Sequence, residues 1–332
     1  MTIFTGRRRE FAEASVGWEI FNMIKTTIRI VVTALLGVFA ASVSHAAAKN
    51  GAEIGKPVSL EIMVRPAAGK PLVMKGGDAR QQALVTARFA AGAERDYTRT
   101  VSYETKPAGV VEVTKDGYVI PKGDGTATIT AKSAEGLSAT ANVTVENFKI
   151  VPPINFPNQI VPIFTKGGCN GGGCHGKSGG QNGFKLSLLG FEPTEDFEHL
   201  VKEARGRRLF TAAPDESLLL VKGAAVVPHG GGKRMEVDSY DYNLVKRWIA
   251  QGMPYGNPDD PTVARIEVFP KERVLEPGSD QQLTVFAHYT DGTVEDVTRA
   301  ALFEANDKDM ASTENTGLVR LSQQTGELDR KS

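Results

Sequence analysis

The sequence predicts a multidomain protein with an all-β sandwich, then a small all-α domain, then a second, incomplete β-sandwich. Three observations support this order. Apolar and polar residues alternate from 57 to 147, as they do in half-buried strands. Between 148 and 260, apolar residues recur at helical spacing. Finally, residues of the first region reappear 200 positions later, so 262–332 is a second copy of the first module.

Turn signals divide the first region into short strands, at the spacing of a small antiparallel sandwich. They are Gly76-Gly77-Asp78, Asp116-Gly117, Gly123-Asp124-Gly125 and Glu135-Gly136. The last two alternating runs, residues 126–131 and 138–145, predict a hairpin.

The internal repeat keeps a constant register. Gln82, Val85, Ala87, Gly92, Asp96, Thr98 and Arg99 recur as Gln282, Val285, Ala287, Gly292, Asp296, Thr298 and Arg299. The second copy reaches Ser332 before any counterpart of the hairpin. We therefore expect a truncated module with an exposed sheet edge, in a chain that is a fragment of a longer protein.

Residues 1–48 have the layout of a signal peptide. Lys25 and Arg29 precede an apolar run at 30–41, and small residues follow it. Met23 is a more natural start than Met1, because the first 22 residues form an unusually long charged extension. The apolar run is short for a membrane span. We expect export to the periplasm, cell envelope or cell surface, with membrane attachment only through an uncleaved signal anchor.

Composition excludes some functions. The chain has 332 residues, with 39 basic and 39 acidic side chains, so its net charge is zero and no nucleic-acid partner is expected. No G-x-S-x-G, H-E-x-x-H or phosphate-binding loop is present. The sequence therefore predicts no catalytic site of its own.

Both cysteines lie in one stretch, Cys169 to His175, with the histidine directly after Cys174. Three kinds of site are open: a small-loop disulfide, a zinc site, and covalent haem c. In haem c attachment, two thiols bond the porphyrin and the adjoining imidazole ligates iron. Four residues separate the thiols instead of the usual two, but Asn170 and three glycines can loop out. Haem is favoured because it alone explains the position of the histidine.

A haem iron has a further axial position. His229, Met235, Met253 and His199 are the candidates, although the methionines also suit simple packing. Arg205 and Arg207 could pair with haem propionates, and Trp248 could pack at the porphyrin edge.

The two β modules resemble bacterial Ig-like group 2 domains, as found in intimin-type and other surface proteins. The motifs that carry the resemblance are Pro277-Gly278, Tyr289 to Gly292, Asp296 to Thr298, and Gly317-Leu318-Val319 with its counterpart Gly117-Tyr118-Val119.

Residues 158–254 resemble the cytochrome c-like domain of large secreted planctomycete proteins. The matching segments are 163–169, 174–177, 182–188, 204–208 and 228–234. In the commoner form of that family, a methionine lies roughly twenty residues before the tryptophan of a Leu-x-x-Trp-Ile-x-x-Gly helix. Counting back from Trp248 reaches His229. The resemblance therefore implies His229 as the distal iron ligand, with Met235 as the alternative.

We expect an exported protein with one covalent haem c. Its predicted role is single-electron transfer to a redox partner outside the cytoplasm, with the Ig-like modules as scaffold or as units that bind envelope polysaccharide or protein. The alternative is a cell-surface adhesion or scaffold protein with a structural Cys169–Cys174 disulfide. A third hypothesis is that the chain is the N-terminal part of a larger enzyme.

Overall fold

The computed structural model describes residues 55–65, 72–324 and 326. The predicted signal peptide lies outside the described residues. Residues 57–146 carry ten strands, which we call module one. They are β1 (Pro57–Met63), β2 (Leu72–Lys75), β3 (Gln81–Gln82), β4 (Leu84–Phe89), β5 (Glu94–Asp96), β6 (Ser102–Lys106), β7 (Val111–Val113), β8 (Tyr118–Pro121), β9 (Gly125–Lys132) and β10 (Ser138–Glu146).

Module one consists of three small sheets, with two clusters of buried apolar residues between them. The strand orders of the sheets are β1-β4-β5, β2-β10-β9-β6 and β3-β8-β7. The predicted hairpin is confirmed, because β9 and β10 pair antiparallel from Ser138 with Lys132 to Val145 with Gly125. Alternate residues of these strands point inward, and Ile129 and Val143 are fully buried.

Residues 263–321 form module two, with two three-stranded sheets ordered β11-β13-β14 and β12-β16-β15. Its strands are β11 (Val263–Phe269), β12 (Asp280–Gln282), β13 (Thr284–Tyr289), β14 (Val294–Asp296), β15 (Ala311–Thr313) and β16 (Leu318–Leu321). Local bonds repeat those of module one. The Val85 amide donates to the Thr98 hydroxyl at 3.0 Å, and the Val285 amide donates to the Thr298 hydroxyl at 2.8 Å. Within the described residues, module two has no counterpart of the β2-β10-β9-β6 sheet.

The two modules contact each other through equivalent surfaces. The Gln82 amide donates to the Asp296 carboxylate at 2.7 Å, and the equivalent Gln282 amide donates to the Asp96 carboxylate. Because 282 and 296 are the repeat counterparts of 82 and 96, the contact has a pseudo-two-fold axis. We call these four residues the module clasp.

The charged side chains next to the module clasp do not follow this symmetry. Arg299 forms an ion pair with Asp116 and lies over the Tyr118 ring, 4.1 Å from its centroid. Arg99 donates to the Gln282 side chain at 3.0 Å and lies 4.0 Å from the same Asp116 carboxylate. Both arginines therefore converge on one acidic group, which belongs to module one.

The prediction of a small all-α domain is wrong. Between the modules lie four short helices: α1 (Val161–Lys166), α2 (Pro193–Phe197), α3 (Leu218–Gly223) and α4 (Tyr240–Ala250). The remaining helical pieces are single turns at Phe156–Ile160, Leu188–Gly190, Glu198–Lys202, Glu203–Gly206 and Pro214–Glu216. The longest helix in the described part of this region, α4, has 11 residues.

Backbone conformation explains the short helices. Glycines crowd the segment 167–183, where Gly168 and Gly180 adopt left-handed angles. Ala204 and Arg205 are also left-handed, and the helical run that begins at Pro193 ends just before them. Apolar residues at helical spacing therefore do not extend into long helices here.

The central region nevertheless has its own core. Trp248, Phe156, Ile160, Leu200, Leu220, Val245 and Ile249 are all fully buried. Helical spacing of apolar residues is realised in α4, and the Ser239 hydroxyl caps this helix by accepting from the Tyr242 amide at 3.2 Å. None of the helices in the described residues combines the length and apolar character needed to cross a bilayer.

The central region is tied to both modules. Arg247 on α4 forms an ion pair with Asp78 of module one, and the Tyr240 hydroxyl donates to the Asp78 carbonyl at 3.2 Å. On the other side, Lys166 donates to the Arg299 carbonyl at 2.7 Å. The described residues belong to one compact unit.

Candidate functional site

A cavity of about 500 Å³ opens in the central region, beside the cysteine loop. Its wall combines apolar, cationic, thiol and imidazole side chains. Six residues singled out by the sequence line it: Cys169, Cys174, His175, Arg207, His229 and Met235. The structure thus brings together groups that are up to 66 positions apart in the chain. The volume falls within the range of ordinary ligand pockets, about 300–1,000 Å³.

The loop between the two cysteines is a folded turn. Asn170 is 1% exposed, and its side-chain amide donates to the Thr165 hydroxyl at 2.9 Å. The His175 amide donates to the Cys169 carbonyl at 2.9 Å. At Gly176 a Cβ would lie 1.9 Å from the Asn170 carbonyl oxygen, so only glycine fits there. Hydrogen bonds and close backbone packing within the loop therefore accommodate the four residues between Cys169 and Cys174.

His175 is held in one orientation. Its Nδ1 lies 2.9 Å from the Phe184 carbonyl oxygen, and the two rings are 4.6 Å apart between centroids. Burial lowers the pKa of His175, and the neighbouring His229 acts in the same direction. The neutral imidazole is the form that ligates metals, and a carbonyl on Nδ1 leaves Nε2 as the ligating nitrogen.

His229 has a similar arrangement on the opposite loop. Its Nδ1 lies 2.8 Å from the Gly232 carbonyl oxygen. Met235 lies nearby, 9% exposed, with its side chain close to Gly223 at the start of the same loop. His229 and Met235, the two distal ligands that the family resemblance implies, thus both line the cavity.

The two thiols are free and half-buried. Burial raises the pKa of Cys169 to about 11, although Arg234 partly opposes this. The Arg234 guanidinium also lies 3.8 Å from the Cys174 sulfur. At neutral pH the Cys169 side chain is therefore a protonated thiol.

Four cationic side chains line the cavity, and no Asp or Glu lies among the lining residues described: Arg207, Arg208, Lys222 and Arg234. Arg208 is 4% exposed and lies over the Phe184 ring, 4.5 Å from its centroid. It donates to the Gly183 carbonyl at 2.6 Å and to the His199 carbonyl at 2.8 Å. Such a wall suits a ligand with an apolar body and anionic groups.

Sequence reasoning missed the roles of Arg208, Arg234 and Phe184. The segment 204–208 was the available signal for Arg208, but it did not show which arginine points inward. Arg205 is exposed with a left-handed backbone and does not line the cavity.

Three further residues from the sequence analysis lie away from the cavity. Trp248 is fully buried, donates to the Pro254 carbonyl at 2.8 Å, and packs against Phe156 at 5.3 Å between ring centroids. Met253 packs against the same core. The imidazole of His199 lies 3.5 Å from the Glu203 carboxylate.

The classification as a metal-binding cytochrome is wrong. The described part of the chain contains no group of three or more His, Cys, Asp or Glu side chains that could hold a metal ion, which also overturns the zinc hypothesis. The short helices do not form a cytochrome domain. The electron-transfer role that followed from that classification loses its basis.

No family model matches the chain, and no curated protein matches it. Similarity to solved structures is found with a mutant of intimin from EHEC O157:H7, at 16% identity and a TM-score of 0.18, over 26% of this chain and 42% of intimin. The S-layer protein rSbsC is 11% identical with a TM-score of 0.21, over 81% of this chain and 24% of the S-layer chain. The chain thus spans less than half the length of either structure.

Proposed function

We propose that the protein is an exported scaffold of the cell envelope or cell surface, in which two Ig-like modules hold a pocket-bearing central region. The module clasp carries this proposal. Reciprocal hydrogen bonds fix the two modules against each other, and the ion pair from Asp78 to Arg247 fixes the central region against module one. A rigid arrangement of this kind suits the presentation of a surface to other molecules.

The outer face of the β9–β10 hairpin is a candidate contact surface for envelope protein or polysaccharide. It presents hydroxyl and amide side chains in a regular row. The hydroxyls of Thr126 and Thr144 are 3.0 Å apart, and Thr128 donates to the Asn142 side chain at 2.9 Å. The targeting layout of residues 1–48 agrees with a place outside the cytoplasm.

A binding assay tests the scaffold role. Purified protein is expected to cosediment with isolated bacterial envelopes, and Thr126→Glu is expected to weaken binding roughly tenfold, since a charge on the contact surface costs of the order of 1.4 kcal/mol. Thr194→Glu, at an exposed site on α2, serves as the matched control. A folded protein that stays in the supernatant at every concentration would overturn the proposal.

A second proposal concerns the pocket occupant, because four residues predicted to hold covalent haem c line one cavity. Cys169 and Cys174 would form the thioether bonds, and His175 and His229 would ligate the iron. A haem supplies four nitrogens itself, so it needs no cluster of three protein ligands. The cationic wall suits its two carboxylates. The bound group would supply an iron centre whose access to small ligands is controlled by His229.

The pocket proposal is tested by expression in a host competent for haem c maturation. We expect a pyridine haemochrome signal and a mass increase of one haem. His229→Ala is expected to open the iron to carbon monoxide and change the low-spin spectrum, whereas His199→Ala, outside the cavity, leaves it unchanged. A folded, colourless product with the mass of the bare polypeptide contradicts haem attachment. A spectrum altered by Met235→Ala but unaffected by His229→Ala contradicts the ligand assignment.

A further inference from the structure

Arg208 is buried in the cavity wall although its side chain is charged, with only 4% of the residue exposed. Its described hydrogen bonds all go to backbone carbonyls. Nη1 donates to the carbonyls of His199 at 2.8 Å and Glu203 at 3.2 Å, and Nη2 donates to the Gly183 carbonyl at 2.6 Å. A buried cation is tolerated only when such bonds satisfy it. The guanidinium therefore ties the helical turns of 198–206 to the backbone at Gly183.

Gly183 belongs to a tight turn that ends at Phe184. Gln181 and Phe184 pair as an isolated antiparallel bridge, with amide-to-carbonyl distances of 2.9 and 3.0 Å. Between them, Asn182 and Gly183 have left-handed φ angles of 51° and 71°. Asn-Gly is the residue pair that a two-residue hairpin turn of this kind prefers. The turn therefore sets the direction of the Phe184 carbonyl, as long as the turn itself stays in place.

The Phe184 carbonyl is the group that orients the His175 imidazole. This oxygen accepts from the Gln181 amide at 2.9 Å, and His175 Nδ1 lies 2.9 Å from it. A carbonyl oxygen has two lone pairs, and these two contacts occupy both. Because a carbonyl only accepts, Nδ1 must carry the proton in this arrangement. A small movement of the turn would break the contact that selects this tautomer.

We propose that Arg208 is the positioning residue for His175. Its bond to the Gly183 carbonyl and its contact with the Phe184 ring, 4.5 Å from the centroid, hold the turn from two sides. The same ring lies 4.6 Å from the His175 ring between centroids. Arg208 thereby keeps the proton on Nδ1 and leaves Nε2 as the ligating nitrogen. The inference rests on the pocket proposal, in which His175 ligates iron, and names the residue that prepares this ligand.

Nitrogen NMR on the full chain, without haem and with isotope-labelled histidine, measures the tautomer. At about pH 8, where imidazole is neutral, we expect widely separated signals for a protonated Nδ1 and an unprotonated Nε2 of His175. Arg208→Lys keeps the buried charge but loses the planar fork, so the two signals should move together as the ring samples both tautomers. Arg208→Ala should bring them closer still. Arg205→Ala, at an exposed position outside the cavity, is the matched control and should leave them unchanged.

Far-UV circular dichroism shows which variants fold, and Arg208→Lys alone decides if Arg208→Ala does not. A folded Arg208→Lys with wild-type nitrogen signals overturns the inference, and so does an equal change in Arg205→Ala. In protein loaded with haem, a weaker hydrogen bond at Nδ1 makes His175 a less basic ligand, so Arg208→Lys should raise the reduction potential. A wild-type chain that never takes up haem contradicts the pocket proposal, whereas the nitrogen signals of the unloaded chain still decide the role of Arg208.

Discussion

Replacement of Trp248 by alanine is expected to lower the free energy of unfolding by about 3–5 kcal/mol. The indole is fully buried between Phe156 and Phe197, and its Nε1 donates to the Pro254 carbonyl at 2.8 Å. Its removal leaves a cavity in the core of the central region and takes the donor away from the Pro254 carbonyl. Urea denaturation followed by far-UV circular dichroism measures the loss.

Phe191→Ala provides the matched control. This aromatic side chain is 84% exposed, so its truncation should change the free energy of unfolding by no more than about 0.5 kcal/mol. If both variants lose less than about 1 kcal/mol, Trp248 is not the centre of this core. A loss that occurred only in protein carrying a bound cofactor would instead favour the predicted packing role at a porphyrin edge.

Replacement of Asp296 by asparagine is expected to destabilise the pairing of the two modules, by about 2 kcal/mol at pH 7. The Asp296 carboxylate accepts from the backbone amides of Gln82 and Thr298, from the Gln81 side chain and from the Thr284 hydroxyl. An amide presents two donors to a site built from donors, so at least one contact is lost. Asp259→Asn, at an exposed position, is the control.

The free energies of unfolding of the wild-type protein and of Asp296→Asn should depend differently on pH. Burial raises the pKa of Asp296 from 3.8 to about 6, so the folded protein binds this proton more tightly than the unfolded chain. The contribution of Asp296 to stability is then largest below about pH 4 and falls as the pH rises towards 6. The stability difference between wild type and Asp296→Asn should therefore shrink over this interval. A difference that grows between pH 4 and pH 6, measured by urea denaturation, would contradict the raised pKa.

The sequence was sufficient for those parts of the fold that depend on local pattern. Alternation and turn residues predicted the hairpin of β9 and β10, and the constant register of the repeat made Thr98 and Thr298 counterparts, whose hydroxyls accept equivalent bonds in the structure. These features need only residues that are close in the chain. The clasp between Gln82 and Asp296 joins residues 214 positions apart, and no local pattern reports such a contact.

The central region shows why helical spacing alone was misleading. Helical spacing predicted α4 correctly, and Ser239 supplies a cap there. Elsewhere, glycines and left-handed residues end the helices early. The Cys169 to His175 motif is contiguous in sequence, and Cys169, Cys174 and His175 lie together on the wall of the cavity. Arg208 follows a left-handed backbone at Ala204 and Arg205, a conformation that these residue types do not favour, so the sequence did not indicate its buried position.

The unequal surroundings of the two arginines beside the clasp give the two modules different parts in their joint. Position 116 is aspartate and position 118 is tyrosine, whereas their repeat counterparts are Thr316 and Leu318. A joint between two copies of module two would keep the reciprocal hydrogen bonds but would offer neither arginine an aspartate or a tyrosine at these positions. Module one therefore supplies the acidic and aromatic half of the joint, and an array built from module two alone could not reproduce it.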